Sequence, residues 1–271
     1  MKRLSLSFVF LALATASAFA QNTDAVANVA APLSQAPAAR WSFGVGAALS
    51  DSEYAGEGTR VTPFPLVTYE GERFYWRGIG GGAHLLEQGG WSLDATLSAR
   101  VDGIDRDDFG VAELARRGID RALLDDRDNG FDLGLLASWQ GGAGKIDLGV
   151  KGDATGTSKG FEATVRYGYP LQWGRTAITP NISVSHLSKK LANYYYGTLP
   201  DEVARGVVDY RPGGATVARI GVDVVRPLAG RWAFIGSLSY KRLPGKLADS
   251  PLLEHDRDGA VSAFAGIARG F

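Results

Sequence analysis

Gly259-Ala260-Val261-Ser262-Ala263-Phe264-Ala265-Gly266-Ile267-Ala268-Arg269-Gly270-Phe271 reads with a period of two. Val261, Ala263, Ala265, Ile267 and Phe271 share one face, and Ser262, Gly266, Ala268 and Gly270 share the other. Successive side chains of a strand point to opposite sides of its sheet, so these are two faces of one strand. An apolar face, a small or polar face and a final aromatic residue form the pattern of a closing strand in an outer-membrane β-barrel.

A soluble half-buried strand alternates in the same way, so repetition decides the matter. Trp91, Leu93, Ala95, Leu97, Ala99 and Val101 alternate with Ser92, Asp94, Thr96, Ser98, Arg100 and Asp102. Phe131, Leu133, Leu135, Ala137 and Trp139 alternate with Asp132, Gly134, Ser138 and Gln140. The pattern returns around Lys145–Asp153, Phe161–Tyr169, Ile178–Ser185, Ile220–Val224 and Arg231–Lys241. Segments of about ten residues suit tilted strands that cross a bilayer.

The connections alternate in length. Glu87–Gly90, Gly141–Gly144, Leu171–Gly174 and Pro227–Gly230 are short, whereas Gly103–Gly130, Lys189–Gly214 and Leu243–Asp258 are long. Short periplasmic turns and long extracellular loops belong to an all-β, antiparallel transmembrane barrel. Parity requires an even count if Trp41–Ser50 runs upward and the last strand runs downward. A hairpin in Arg73–Leu86, turning at Gly78, gives twelve strands, and ten is the alternative without it. In this register Trp41, Trp91, Trp139, Trp173 and Trp232 fall at the periplasmic rim, where indoles favour the headgroup level, and Trp76 falls at the other side.

Composition agrees. Lys and Arg number 29, as do Asp and Glu, so no basic surface points to nucleic acid. The absence of cysteine removes disulfides and thiolate chemistry, and 36 glycines suit tight turns and small inward positions. Met1-Lys2-Arg3, the apolar run from Leu4 to Ala14 and Ala18-Phe19-Ala20 read as a cleaved signal peptide over 1–20. Residues 21–40, rich in Ala and Pro, read as a flexible periplasmic lead, and 41–271 as the barrel.

Tyr54-Ala55-Gly56, Pro63-Phe64-Pro65, Tyr194-Tyr195-Tyr196-Gly197, Asp201-Glu202-Val203-Ala204, Tyr210-Arg211-Pro212-Gly213-Gly214 and Ala248-Asp249-Ser250-Pro251 follow in order. With the terminal Phe271 they resemble the MipA/OmpV family of MltA-interacting outer-membrane proteins. Before the tyrosine run this chain has Leu191 and Asn193, where the family tends to carry an aromatic and an acid. The resemblance implies a Gram-negative outer-membrane barrel without catalysis or cofactor. It implies a scaffold joining a lytic transglycosylase and a penicillin-binding protein, with lipid and lipopolysaccharide around it. Other members are described as porin-like, so a narrow channel for small polar solutes is the alternative.

Tyr194, Tyr195, Tyr196 and Tyr210 are a candidate binding loop, since Tyr offers flat apolar area with a polar tip. The plainer reading is a loop packing its own aromatics over the barrel mouth. Asp94, Arg100, Asp132, Lys145, Asp147, Lys151, Asp153, Glu162, Arg166, Asp223, Arg231 and Lys241 are inward candidates for the lumen, and their mixed signs can pair across it. The acid-rich stretch Asp102–Asp128 could hold a divalent cation but lacks EF-hand spacing, so a solvated loop with a short helix over Val111–Arg117 is expected. His186 and Ser188 resemble the pair of the outer-membrane lipid A deacylases, but no carboxylate is assigned to orient the His. Glu254-His255-Asp256 is similar to the acid/His pair of outer-membrane aspartyl proteases without the further acids. His84 stands isolated, and no metal centre is expected from three scattered histidines.

Overall fold

A computed structural model describes residues 39–271. The signal peptide and nearly all of the lead therefore lie outside the described residues. The wall consists of β1 (Trp41–Asp51), β2 (Thr59–Glu70), β3 (Phe74–Arg77), β4 (Gly80–Gln88), β5 (Trp91–Arg100), β6 (Gly130–Gly141) and β7 (Gly144–Asp153). It continues through β8 (Phe161–Gly168), β9 (Leu171–Trp173), β10 (Thr176–Leu187), β11 (Ala215–Pro227), β12 (Trp232–Arg242) and β13 (Gly259–Gly270). Every neighbouring pair is antiparallel, and β13 returns to β1 with Ser42 opposite Gly270. Closure pairs the terminal strands, as hydrocarbon demands of a backbone that water cannot satisfy.

β8 and β9 are two pieces of one wall strand, since both pair with β10 and only Tyr169 and Pro170 separate them. Pro170 has no N–H to give to the ladder, which explains the break. The wall thus has twelve strands. The hairpin in Arg73–Leu86 that decided twelve over ten is present as β3 and β4, with Gly78 at φ +65° in its turn. A bulge between His84 and Leu86 turns Leu85 and Leu86 outward together.

Alternation sorts the faces as expected. Val45, Leu133, Val165 and Ile220 are exposed on the outer face, while Asp94, Asp132, Thr179 and Asp223 are buried on the inner one. Trp91 sits opposite Trp139, and Trp41 opposite Tyr69, at the periplasmic end. Trp76 departs from its expected place. It faces Tyr69, two strands from Trp41, because β3 is only four residues long and never approaches the outer rim. The inner face of β13 also departs from the small-or-polar expectation. Phe264 points inward and stacks on Phe64 at 5.3 Å, packed with Ala48, Leu66, Ile235 and Ala268. Gly46 makes this possible, because a Cβ there would stand 2.6 Å from the Phe264 ring. One side of the lumen is therefore filled with apolar side chains.

Candidate functional site

The long loops fold over the extracellular mouth as a lid with its own core. Tyr54, Ile104, Phe109, Leu114, Leu124, Leu191, Tyr195, Leu247, Leu252 and Leu253 pack together there, all buried. The segment after β10 forms a helix at Lys189–Tyr196 and a second at Pro200–Ala204, neither of which the strand-like periodicity suggested. The signals were local. Ser188 accepts the amide of Leu191 as an N-cap, and Pro200 opens the second helix with Asp201 and Glu202 in its first turn.

One ion pair fastens the lid. Arg127 Nη1 donates to Glu202 Oε1 at 2.7 Å and Nη2 to Oε2 at 2.9 Å, with both side chains fully buried. The guanidinium also donates to the carbonyls of Asp125 and Gly197. Glu202 in turn accepts the amides of Asp125 and Leu199. Two loops far apart in sequence are thereby tied at one planar fork, a geometry that Arg suits better than Lys.

The tyrosine run belongs to this lid. Tyr195 and Tyr196 are buried, while Tyr194 and Tyr210 are half-buried. Tyr54 donates to the carbonyl of Tyr195 at 3.1 Å, Tyr195 to that of Asp128, and Tyr210 to that of Lys246. Tyr196 donates to Glu53 at 3.0 Å, and Lys241 reaches the same oxygen at 2.8 Å. Burial pushes the phenols of Tyr54 and Tyr195 well up, so both remain protonated donors. Lys241 thus ties the upper wall to the lid.

Below the lid the lumenal charges pair. Arg100 reaches Asp102 at 2.8 Å, Asp132 at 2.6 Å and Glu162 at 3.0 Å, and Lys151 approaches Asp132 at 3.3 Å. Arg166 pairs with Asp223 at 2.5 Å, and Lys145 with Asp147 at 3.1 Å. Asp94 holds His84 Nδ1 at 2.8 Å. His84 is therefore not isolated, since the bulge-bearing strand β4 sets it across from Asp94. Asp153 folds back on its own loop, accepting the amides of Thr155, Gly156, Ser158 and Lys159. A cavity of about 410 Å³ lies along β5 to β8, lined by Thr96, Ser98, Lys145, Lys151, Glu162 and Arg166. A second, of about 580 Å³, opens at the periplasmic end among Arg40, Arg175 and Arg231. Arg231 sits there in a turn, at the mouth and below the lumenal pairs.

The acid-rich loop carries its short helix at Val111–Arg116, and its acids serve the loop itself. Asp126 accepts the Arg106 amide, Asp120 that of Ala122, and Asp125 pairs with Arg205 at 2.7 Å. Among the described residues no three His, Asp or Glu groups converge as a metal site requires.

His186 and Ser188 are committed to different partners. His186 Nδ1 meets Thr216 at 3.2 Å on the exposed face, whereas Ser188 is buried and accepts the Phe161 amide at 2.9 Å. A serine used as a cap is not poised as a nucleophile. Ser188→Ala is expected to cost about 1 kcal/mol of lid stability. His186→Ala should cost almost nothing, and lipid A mass spectra should be the same with either variant as with the native chain.

The family model for MltA-interacting protein MipA matches residues 43–271. The chain is similar to the putative outer membrane protein YiaT of Escherichia coli K12, with 27% identity over 91% of this chain and 98% of that protein. It is similar also to the MltA-interacting protein of the same organism, with 27% identity over 82% of this chain and 88% of that one. Among solved structures, the NanC porin aligns over 84% of this chain and 100% of its own at 9% identity and a TM-score of 0.45.

Proposed function

This chain belongs to the MltA-interacting protein MipA family of outer-membrane barrels, and on that premise we propose that it is a non-catalytic scaffold presenting its periplasmic end to murein-remodelling enzymes. The carrying observation is the asymmetry of the barrel. A packed lid covers its extracellular mouth, while among the described residues its periplasmic end holds a cavity lined by Arg40, Arg175 and Arg231. Arg226 and Arg269 stand at the same ends of β11 and β13, opposite Phe234 and Trp232. A basic rim steers an acidic partner surface and fixes its orientation more than it supplies raw affinity. The murein layer and the enzymes that work on it lie on that side.

Envelope crosslinking followed by affinity capture tests the reading. A lytic transglycosylase is expected in the captured fraction. Arg175→Glu with Arg231→Glu should lower its recovery by about tenfold, equivalent to about 1.4 kcal/mol. Capture without any murein enzyme would remove the scaffold reading.

The 410 Å³ lumenal cavity favours a second reading, a narrow channel for small polar solutes. Thr96, Ser98, Thr164 and Thr179 give it hydroxyls beside the charged pairs. The lid holds such a channel closed at rest.

A further inference from the structure

The cavity at the periplasmic end is a recess and not a passage. Its inner lining includes Ser42, Thr68, Ala233, Ile235 and Ala268, all buried on inward faces of the wall. Ile235 and Ala268 belong to the apolar cluster that packs Phe64 on Phe264, so packed side chains form the ceiling. Lipid outside the wall meets the other faces of these strands, where Val45, Leu238 and Ile267 are exposed.

The room comes from pairs of small residues. Ala233 stands opposite Ala268 across β12 and β13, and Gly270 stands opposite Ser42 across β13 and β1. Side chains of this size leave the inner face unfilled below Ile235.

The mouth of the recess carries charge. Arg175 lies in the turn between β9 and β10, Arg231 in the turn between β11 and β12, and Arg40 just before β1. Among the described residues neither Arg175 nor Arg231 has a carboxylate within ion-pair distance. Arg40 leans on Tyr69, donating to its hydroxyl at 3.5 Å, and Glu72 offsets part of its charge. No Asp or Glu side chain lines the recess among the described residues, and the one carboxylate its lining residues bring is the terminal one of Phe271.

We propose that this recess holds a short, carboxylate-rich peptide of small side chains, the chemistry of the stem peptides that hang from murein glycan. The inference rests on the scaffold reading for the side of the membrane it serves, and deepens it by giving the barrel its own grip on the murein layer. Guanidiniums take carboxylates in a two-pronged fork. Methyl-sized side chains fit against Ala233, Ala268 and Gly270, whereas longer ones meet Ile235. In a stem peptide the carboxylates outnumber the ammonium groups, as the guanidiniums outnumber the carboxylates around the recess. A volume of about 580 Å³ falls in the ordinary range of small-ligand sites and is too small for a folded partner to enter.

The test uses the refolded mature chain in detergent, titrated calorimetrically with a synthetic murein stem tetrapeptide. Saturable binding is expected. Arg175→Gln with Arg231→Gln should weaken it about tenfold, the scale of one charge-assisted hydrogen bond, and so should amidation of the peptide's carboxylates. A control peptide of equal charge with leucine in place of alanine should bind about tenfold more weakly, as a tight pocket rejects added methylenes. Equal binding of the two peptides would overturn the recess and leave a bare basic surface. Failure of the full chain to bind, or binding indifferent to the two arginines, would overturn the proposal. The chain has no cysteine, so Ser42→Cys adds a readout inside the recess. With peptide at about ten times its Kd, alkylation there should slow about tenfold. Unchanged alkylation while peptide binds would put the peptide elsewhere and overturn the site. Heat-shifted gel mobility checks that each variant forms a closed barrel. No step involves a murein enzyme. Stem-peptide binding without a captured transglycosylase would remove the scaffold reading alone, and capture without stem-peptide binding would remove only the recess.

Discussion

Arg127→Met is expected to release the lid while leaving the barrel wall intact. The substitution removes a guanidinium from a fully buried fork and leaves the Glu202 carboxylate buried with only the amides of Asp125 and Leu199 to hold it. Breaking one member of a buried ion pair costs about 3–5 kcal/mol, because the remaining charge stays dehydrated. Here the loss also frees the carbonyls of Asp125 and Gly197, which the guanidinium now satisfies. The lid has no other salt bridge with both side chains fully buried among those described, so its opening should be local. Limited proteolysis should cut within residues 101–129 and 189–213, with the heat-shifted gel mobility of the folded barrel unchanged. Combining Arg127→Met with Glu202→Leu should restore most of the protection, since a buried pair replaced by packed apolar groups is often neutral or stabilising. Unchanged proteolysis in Arg127→Met would show that the apolar core alone holds the lid.

The barrel was legible because its signal is repeated. Period-two alternation, connections of alternating length and rim tryptophans each depend on the bilayer and recur around the wall. Even the weakest stretch, Arg73–Leu86, could be recovered by parity. Its shortness could not, because register comes from pairing partners and not from the strand's own residues, and so Trp76 was misplaced. Phe264 was missed for a related reason. An inward aromatic is allowed only where a facing glycine leaves room, and Gly46 lies on a strand at the far end of the chain. The lid was the least legible part. Arg127 and Glu202 are 75 residues apart, and in sequence each is one charge in an acidic, arginine-rich loop. The tyrosine run was visible as aromatic area, and its partners Glu53, Tyr54 and Asp128 come from loops that only closure of the barrel brings together.

Excising residues 189–213 is expected to turn a silent barrel into a conducting one. The operation is feasible because Leu187 and Ala215 are paired across β10 and β11, so a two-residue Asn-Gly turn can join the strands after Ser188 and Gly214 are replaced. The cut removes Leu191, Tyr195, Tyr196 and Glu202 from the lid core and leaves Arg127 facing the mouth. Planar-bilayer recordings of the native chain should show no discrete openings, and the excised variant should show steady ones. The arginines of the periplasmic rim should give those openings a preference for anions that fades with salt, as exposed charges are screened over about 10 Å at 0.1 M. Conductance in the native chain would mean that the packed lid breathes enough to pass ions, and the channel would become the working function. Silence in both forms would place the barrier lower. There, the Arg100 cluster and the Phe64–Phe264 stack fill opposite sides of the lumen. The barrel would then be closed along its axis by two independent devices, which is the architecture expected of a scaffold whose interior serves something other than flow between the two aqueous sides.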